Sequence, residues 1–598
     1  MVSSQYVLLR VDLTRQSFKT EELPISLVQR YIGGKGIGTH FLLEEVNPTN
    51  DPLSPENKLI FAVGPLTGTT FPTSNRFGVL YKSPLTGTYA ESYAGGGTAI
   101  HIRAAGYFVI IVEGRSSMPT YLHVTEAGVV FHPAGGLWGK DTIETSKDLL
   151  ARHGCEGDGS NALCIGPAGE NLVRIASIQT STSRSAGRCG PGAVMGSKNL
   201  KAIVFQGKRV PDLKNAPPFR ALLKRVAQDI TGKPELYGKD GLYRRIGTVN
   251  IVDWANELGC FPTRYFTACY SDYKATFDPQ ALLKVVKARK GCRHCPFPCG
   301  KHVVVPEGPF QCDVEGPEYE TVAIFGGVCD IRDIKAIAKI NEFCDRVGID
   351  TISAGNLVGL GIEAKQRGRL SGEFSVTYND PAGTLQFLAD IAYKRGMGKI
   401  FADGTKAAAQ YFHLEDLAMH VKGLEFAGYD PRAFRGFALS YGVAPEGPTH
   451  LRSVYQTTEI RQPDRFSYEN KVDPLIDWED RMVFLDSLVA CKFARAVLEW
   501  KDLCEIYNIA FGTHATIADL HVLANNIVTL SRVFNVKAGF TRADDYLPNR
   551  VYTEVLVHRN GQQMILDRAK YGSMLDEYYD KRGWTREGVP RVLVGMEK

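Results

Sequence analysis

The stretch Cys292-Arg293-His294-Cys295-Pro296-Phe297-Pro298-Cys299 places three thiols within eight residues. Cysteines this close can converge on one centre only if the backbone turns sharply, and the two prolines favour such a turn. The spacing predicts an iron–sulfur cluster, which takes four thiolates, so a fourth cysteine must come from elsewhere in the chain. A zinc site is the alternative, because His294 lies in the loop and zinc accepts mixed cysteine and histidine ligands.

Composition limits the classes of protein to which the chain can belong. It has 598 residues, 44% hydrophobic and 23% charged, enough to bury a large core in several domains. A net charge of +5 is too small at this length to indicate nucleic acid or an anionic membrane as a partner. Arg10, Asp12 and Arg15 interrupt any signal-peptide core, and no apolar run reaches the length of a membrane span. Thirteen cysteines, an odd number without secretory features, predict reduced thiols in a cytoplasm.

The pattern of the chain changes near residue 210. Before it, short β-type runs alternate with Gly/Pro turns, at 7–13, 58–63, 76–82, 107–113, 120–132 and 201–206. After it, longer segments have helical periodicity, at 218–230, 333–346, 384–395 and 477–498. These runs predict an α+β protein with a β-rich domain over 1–209 and two mostly helical domains over 210–414 and 415–598.

Two glycine-rich segments lie in the β-rich region, Ser92–Thr98 and Ser185–Ala193. Glycines let backbone N–H groups approach anionic ligands, and Arg76, Arg184 and Arg188 could add charge. Tight turns between strands are the alternative interpretation. Neither segment is a Walker motif, and the earlier run Gly33–Gly38 follows what reads as the end of a helix, so it is weak evidence for a dinucleotide loop.

A series of separate motifs carries a family resemblance. In chain order they are Gly33-Gly-Lys-Gly36, Pro72-Thr-Ser-Asn-Arg-Phe77, Lys82-Ser-Pro-Leu-Thr-Gly87, Ala193-Val-Met-Gly-Ser-Lys-Asn-Leu-Lys-Ala202, the cysteine loop, Gly316-Pro-Glu-Tyr-Glu-Thr321 and Gly348-Ile-Asp-Thr-Ile-Ser353. Their types and order resemble the tungsten-containing aldehyde:ferredoxin oxidoreductase family over most of the chain. The combination is much more specific than any one motif, and it favours the iron–sulfur cluster over zinc.

The resemblance implies a metal–pterin cofactor beside a 4Fe-4S cluster. In the family, tungsten is held by the dithiolene sulfurs of two pterins without a protein ligand; the sequence by itself leaves molybdenum open. The first pterin signature matches 345–351, which implies that Asp345 and Asp350 accept hydrogen bonds from pterin nitrogens. The second falls on 486–492, with Val489 and Ala490 in place of the usual Gly-Leu.

The family's second signature also supplies the fourth cluster ligand. By resemblance this ligand is Cys491, joining Cys292, Cys295 and Cys299, and Cys504 is the fallback. Asp486 of the same signature is implied as a further pterin-binding residue.

The pterin phosphates have implied partners as well. Arg76 and Arg184 match arginines near the phosphates, and the main-chain oxygens of Tyr93 and Ser185 match positions at which Mg²⁺ bridges the two cofactors. A tyrosine replaces the family's common asparagine at residue 93, which need not remove a main-chain ligand. The full set expected from the two glycine-rich segments is Tyr93, Ala94, Gly95, Gly96, Arg184, Ser185, Ala186 and Gly187.

Oxidation of an aldehyde to an acid needs attack by an oxygen nucleophile, loss of the aldehyde hydrogen and removal of two electrons. A buried carboxylate and a histidine suit the proton transfers, because burial can move their pKa values toward neutrality. The resemblance implies Glu318 or Glu320 for the carboxylate, without deciding between them, and His450 for the histidine.

The prediction is therefore an enzyme that oxidises an aldehyde with water to a carboxylic acid. Electrons would pass through the cluster to ferredoxin or a ferredoxin-like iron–sulfur subunit, in a homo- or hetero-oligomer. One alternative keeps the cofactor and reduces an aromatic-ring thioester of coenzyme A, as a benzoyl-CoA-reductase-like subunit. The other, of a different class, is a zinc-stabilised binding protein without enzymatic activity.

Overall fold

Two six-stranded mixed sheets form the first third of the chain. The structure is a computed structural model, and it describes residues 6–157, 159–370 and 374–591. The first sheet has the order β2-β1-β6-β3-β4-β5 and comprises β1 (Val7–Asp12), β2 (Ser17–Glu22), β3 (Leu59–Ala62), β4 (Phe77–Lys82), β5 (Tyr89–Ala94) and β6 (Val109–Glu113). The second has the order β11-β10-β9-β12-β7-β8 and comprises β7 (Thr120–Thr125), β8 (Gly128–Pro133), β9 (Ala162–Cys164), β10 (Ile178–Thr180), β11 (Ser185–Ala186) and β12 (Leu200–Gln206).

Strand composition follows position in the first sheet. The central strands β3 and β4 are buried at every residue, as expected for strands covered on both faces. The edge strand β2 reads Ser-Phe-Lys-Thr-Glu-Glu and is almost wholly exposed, and its charged side chains disfavour pairing with another chain.

Helices accompany the sheets and then dominate the remaining chain. Those of the first third are α1 (Ile25–Tyr31), α2 (Gly34–Glu45), α3 (Thr98–Ala104), α4 (Thr142–Arg152), α5 (Pro167–Glu170) and α6 (Pro191–Ser197). The next are α7 (Pro217–Thr231), α8 (Pro234–Tyr237), α9 (Leu242–Arg245), α10 (Ile251–Glu257), α11 (Pro279–Leu283), α12 (Tyr319–Val322), α13 (Ile334–Val347), α14 (Thr351–Gln366), α15 (Pro381–Ala392), α16 (Gly398–Phe401) and α17 (Thr405–Phe412). The last are α18 (Gly436–Val443), α19 (Gln456–Glu459), α20 (Val472–Ser487), α21 (Trp500–Phe511), α22 (Ile517–Lys537), α23 (Arg550–Thr553) and α24 (Arg568–Lys581).

Small sheets interrupt the helical part. The three-stranded sheet β13 (Val286–Lys290), β14 (Gly300–Val305) and β15 (Cys312–Glu315) holds the cysteine loop, which connects β13 to β14. Two hairpins follow, β16 (His420–Val421) with β17 (Leu424–Glu425) and β18 (Leu556–Val557) with β19 (Gln563–Met564). Sequence patterns did not predict these strands.

The predicted fold class, sheets followed by mostly helical structure, is confirmed. The domain boundary placed at residue 414 remains a prediction; one buried apolar core extends from Tyr6 to Trp584. The run at 120–132 is a hairpin of two strands, not one strand. Within the described residues, no helix is both long enough and apolar enough to cross a membrane.

The helix predicted over 477–498 was wrong at both ends. The helix α20 begins at Val472 and ends at Ser487. The chain leaves the helix at Val489, which has a left-handed backbone (φ 53°), and the N–H of Cys491 then donates to the carbonyl of Thr73 at 3.0 Å. A β-branched residue such as Val489 rarely takes that conformation. Because the apolar residues around it keep helical spacing, no local pattern indicated that the chain turns here. The turn brings Cys491 toward the first sheet.

Candidate functional site

A cavity of about 390 Å³ lies where the sheet region meets the helical region. Most of the predicted site residues line it: Arg76, Tyr93, Gly95, Arg184, Ser185, Gly187, Cys292, Cys299, Glu318, Glu320, Asp345, Asp350, His450 and Cys491. Five others are not among its lining residues: Ala94, Gly96, Ala186, Cys295 and Asp486. The fold thus gathers side chains that are up to 415 residues apart in sequence, as for Arg76 and Cys491.

The cysteine loop packs against the first glycine-rich segment. The N–H of Gly96 donates to Sγ of Cys292 at 3.2 Å, and the N–H of Arg293 donates to the carbonyl of Gly96 at 2.7 Å. A Cβ at Gly95 would stand 2.9 Å from Sγ of Cys292, so any other residue there would displace this thiol. The glycines therefore serve to bring the backbone against a cysteine.

Cys491 lines the same cavity as Cys292 and Cys299, and Cys504 does not. Nη1 of Arg76 donates to Sγ of Cys491 at 3.8 Å at the edge of the cavity. The thiol of Cys504 instead donates to the carbonyl of Ala515 at 3.1 Å, and it does not line the cavity. Burial raises the pKa of Cys295 to about 12, and the charges of Cys491 and Cys292 act in the same direction, as expected for thiols in one neighbourhood.

The two glycine-rich segments meet, because β5 contacts β11. Nη2 of Arg76 donates to the carbonyl of Tyr93 at 3.3 Å, so this predicted Mg²⁺ ligand has a cation beside it. Arg184 forms ion pairs with Glu315 and with Glu318, the latter at 3.3 Å. Both predicted phosphate-binding arginines thus lie at the cavity, and Arg184 is held by two carboxylates.

The first pterin signature spans the end of α13 and the start of α14. Gly348 takes a left-handed conformation (φ 74°) that ends α13 and turns the chain, so that Asp345 and Asp350 both line the cavity. Burial raises the pKa of Asp345 to about 8, so its carboxyl is mostly neutral at pH 7 and can both donate and accept hydrogen bonds. Asp350 caps α14 by accepting from the N–H of Ser353 at 3.0 Å.

The second signature contributes to a buried network of charges behind the cavity. Asp486 pairs with Lys492 at 2.7 Å and with Arg452 at 3.3 Å. Arg452 also pairs with Glu91 at 3.0 Å, and Glu91 pairs with Lys35. Although burial opposes it, Arg452 and Lys35 lower the pKa of Glu91 to about 2. Asp486 thus belongs to a network of ion pairs that connects α20 to β5 of the first sheet.

The structure distinguishes the two candidate glutamates. Oε1 of Glu320 lies 3.3 Å from Nδ1 of His450, and neither of these two buried atoms has a hydrogen-bond partner in the described part of the chain. Glu318 instead pairs with Arg184 and accepts a hydrogen bond from Thr248. Burial raises the pKa of Glu320 to about 7. Burial, together with the charge of Arg188, lowers the pKa of His450 to about 3.

Two hydrogen bonds support the Glu320–His450 pair, and no local sequence pattern indicated either of them. The N–H of Gly428 donates to Oε2 of Glu320 at 2.7 Å, across 108 residues. Nη1 of Arg188 donates to the carbonyl of Pro448 at 2.9 Å, close to His450. Arg188 was expected near an anionic ligand but is not among the residues that line the cavity. It supports the loop that carries His450.

Clustered cysteines, two arginines and a largely buried carboxyl–imidazole pair at one cavity are features typical of redox enzymes that bind an anionic cofactor. Comparison with known proteins agrees. Family models described as "Aldehyde ferredoxin oxidoreductase, N-terminal domain" and "Aldehyde ferredoxin oxidoreductase, domains 2 & 3" match residues 8–207 and 221–592. The chain therefore belongs to the aldehyde ferredoxin oxidoreductase family, and the predicted family and enzyme class are confirmed.

Individual relatives cover nearly the whole chain. It is 34% identical to the tungsten-containing aldehyde ferredoxin oxidoreductase of Pyrococcus furiosus, over 98% of this chain and 97% of the relative. It is 33% identical to the enzyme of the same description from Thermococcus kodakarensis, over 98% and 97%. It is 28% identical to the aliphatic sulfonate oxidoreductase, WOR-like subunit, of Pyrococcus furiosus, over 98% and 95%.

A solved structure has the same fold. It is the active site complex BamBC of benzoyl coenzyme A reductase with 1,5-dienoyl-CoA, which superposes with a TM-score of 0.82 over 98% of this chain and 95% of that one. At 24% sequence identity this likeness establishes the fold and not the reaction.

Proposed function

We propose that the protein oxidises an aldehyde with water to a carboxylic acid in a tungsten-dependent reaction. Electrons would leave through a 4Fe-4S cluster to ferredoxin or to an electron-transfer subunit. The observation that carries the proposal is the Glu320–His450 pair, two groups that are each less than a fifth exposed and that face each other at 3.3 Å in the cavity that Cys292 and Cys491 also line; their exposed fractions are 15% and 17%. Similarity over the whole chain to relatives named for aldehyde oxidation supports the substrate class.

The residues present fit the cofactor that the family implies. A bis-pterin cofactor is anionic at its phosphates and polar at its ring edges. Arg76 and Arg184 offer guanidinium groups to the phosphates, and Asp345 and Asp350 offer carboxyl groups to the pterin nitrogens. The carbonyls of Tyr93 and Ser185 are the proposed Mg²⁺ ligands, because β5 and β11 bring both residues to the cavity. Asp486, paired behind the cavity, would support the pterin site indirectly.

The proposed cluster ligands are Cys292, Cys295, Cys299 and Cys491. Burial raises the pKa of Cys299 and of Cys295, so cluster binding would release protons from the thiols. The N–H of Gly96 and the guanidinium of Arg76 donate to two of the sulfurs, and such hydrogen bonds tune the potential of a cluster. All thirteen cysteines are free, which supports a cytoplasmic location.

The chain's own residues would manage the protons of the reaction. The overall change converts an aldehyde and water into an acid, two protons and two electrons; when bound, the tungsten–pterin group would accept the electrons. Glu320, with a pKa of about 7, is close to the ideal for a base that takes a proton from the attacking water. His450, with a pKa of about 3, stays neutral and would orient the substrate by a hydrogen bond rather than store a proton.

The cluster loop adjoins a basic surface that would receive the electron acceptor. Residues 284–293 include five exposed cations and no acidic residue: Lys284, Lys287, Arg289, Lys290 and Arg293. They lie just before β13, within it and in the loop after it, which carries Cys292 and Cys295. Complementary charge speeds association and fixes orientation, so a negatively charged iron–sulfur protein fits this surface.

The test combines metal content with activity. Protein purified without oxygen should contain tungsten and iron and should oxidise aldehydes with a viologen dye as acceptor. Tungsten and iron accompanied only by reduction of aromatic thioesters of coenzyme A would favour the ring-reductase alternative. Zinc without either metal would overturn the proposal, although membership in an oxidoreductase family already disfavours a non-enzymatic zinc protein.

A matched pair of variants tests the histidine. His450→Asn should lower turnover about 10²-fold, the cost of misplacing a reacting group by about 1 Å, with tungsten and iron unchanged. His413→Asn is the control, because this histidine is exposed and has a left-handed backbone (φ 57°) that asparagine tolerates. Full turnover in His450→Asn, with both metals bound, would remove the histidine from the reaction.

A further inference from the structure

Three histidines lie together in the second sheet, away from the cavity. His123 is in β7 and His132 is in β8, and the register of this antiparallel pair opposes His123 to Val130 and His132 to Tyr121. The two histidines are therefore diagonal neighbours on one face of the hairpin. His153 follows directly after α4. None of the three lines the cavity described above.

Packing of α4 against this face brings the third histidine to the other two. Tyr121, on the same face as His123, forms a small separate core with Leu149 and Leu150 of α4. The helix ends at Arg152, and the next residue, His153, extends over the hairpin. Its ring centroid lies 4.1 Å from that of His123 and 5.7 Å from that of His132.

The ring nitrogens are arranged as ligands. One nitrogen from each histidine can be chosen so that all three lie within 4.8 Å of one another. A tetrahedral zinc ion with bonds of about 2.0–2.1 Å needs nitrogens about 3.4 Å apart, a difference that small side-chain rotations can close. The arrangement is thus close to a three-histidine site with one open position.

The imidazoles are also available to bind. Nε2 of His132 and Nε2 of His153 are buried and have no hydrogen-bond partner among the described residues. Nε2 of His123 lies 3.1 Å from the amide oxygen of Gln206. Unpaired buried nitrogens are costly unless something binds them.

We propose that His123, His132 and His153 bind one divalent transition-metal ion, with Zn²⁺ as the best match and water as the fourth ligand. Three imidazoles without a carboxylate suit zinc and its neighbours, whereas Mg²⁺ and Ca²⁺ require oxygen ligands. The ion would fasten the C-terminal end of α4 to the hairpin. At its other end α4 contacts the cavity region, where Oγ1 of Thr142 donates to the carbonyl of Asp345 at 2.8 Å.

The test measures zinc binding by the intact holoenzyme. In equilibrium dialysis against ZnCl₂, followed by elemental analysis, the wild type should bind one saturable zinc per chain in addition to its other metals. His132→Gln and His153→Gln should each weaken binding more than about 100-fold, beyond the effect of losing an outer-shell partner. Tungsten content, iron content and aldehyde oxidation should not change in either variant.

A control and a competitor complete the experiment. His302→Gln should bind zinc as the wild type does, because this histidine lies in β14 and pairs with Asp313 at 2.6 Å. Excess Mg²⁺ should not displace the zinc. Absence of saturable zinc from the wild type would overturn the proposal. Wild-type zinc affinity in both His132→Gln and His153→Gln would overturn it as well. Zinc should raise the melting temperature of the wild type and of His302→Gln but not of His132→Gln or His153→Gln. An equal rise in all four proteins would contradict the proposed zinc ligands.

Discussion

Replacement of Glu320 by glutamine tests the proposed base most directly. The substitution keeps the size of the side chain and the hydrogen bond from the N–H of Gly428, which lies 2.7 Å from Oε2. It removes the ability to take a proton from water. We expect kcat/KM for aldehyde oxidation to fall by about 10²–10⁴-fold, the usual contribution of a general base, with tungsten and iron content unchanged.

The pH dependence supplies a second signature. The wild-type rate should rise with pH and level off above the pKa of Glu320, about 7, because only the carboxylate can act as the base. The ordinary pKa is 4.5, so burial disfavours the carboxylate by up to about 3 kcal/mol, taking 1.36 kcal/mol per pKa unit. Because glutamine does not titrate, the rise of the rate with pH should be absent in Glu320→Gln.

The same shift predicts how stability depends on pH. Between pH 4.5 and about 7 the folded state holds a proton on Glu320 that the unfolded state has released. This contribution to stability is therefore complete below pH 4.5 and is lost as pH rises through about 7. Part of the wild type's loss of stability over that range, up to about 3 kcal/mol, should be absent in Glu320→Gln.

Glu318→Gln is the control, because Glu318 pairs with Arg184 rather than with His450. The assays are kcat/KM against pH with a viologen acceptor, and denaturant unfolding against pH. If Glu320→Gln keeps both its turnover and the rising limb while Glu318→Gln loses them, the carboxylates have been assigned in the wrong order.

Three further experiments test other parts of the protein. Cys491→Ala should abolish or convert the EPR signal of the cluster, and Cys504→Ala should leave it unchanged; the reverse result would move the fourth ligand to Cys504. Glu91→Ala removes the carboxylate that the buried cations Lys35 and Arg452 share. It should lower the free energy of unfolding by about 3–5 kcal/mol, and a loss below about 1 kcal/mol would contradict the proposed charge network. The double charge reversal Lys287→Glu/Arg289→Glu should weaken reduction of an acidic ferredoxin, most at low salt, without changing dye-linked activity. Equal loss with dye and with ferredoxin would show that the effect is not on docking.

Much of the cofactor-binding region could be read from local sequence. The spacing of Cys292, Cys295 and Cys299 is a local property, because three ligands in one tight loop need little help from the remaining fold. Alternating strands before residue 210 and helical periodicity after it likewise report short-range burial, and the structure has both. The motif order that identified the family is a property of the sequence itself.

Other features depended on which segments the fold brings together. No local pattern separates Glu318 from Glu320, which are two residues apart, since the difference arises from Arg184 on one side and His450 on the other. The hairpins in the helical part and the left-handed Val489 were also hidden, because tertiary packing overrides residue preference there.

The histidine cluster shows the same limit. His123, His132 and His153 have no metal-site spacing in the sequence, and they meet only because a β-hairpin register and the end of a packed helix coincide. The sequence alone determined the family, the cysteine loop and the order of sheet and helix, since these depend on residues close together in the chain. The tertiary structure decided which carboxyl is buried and which imidazoles are neighbours, because desolvation and distance are set by segments far apart in sequence.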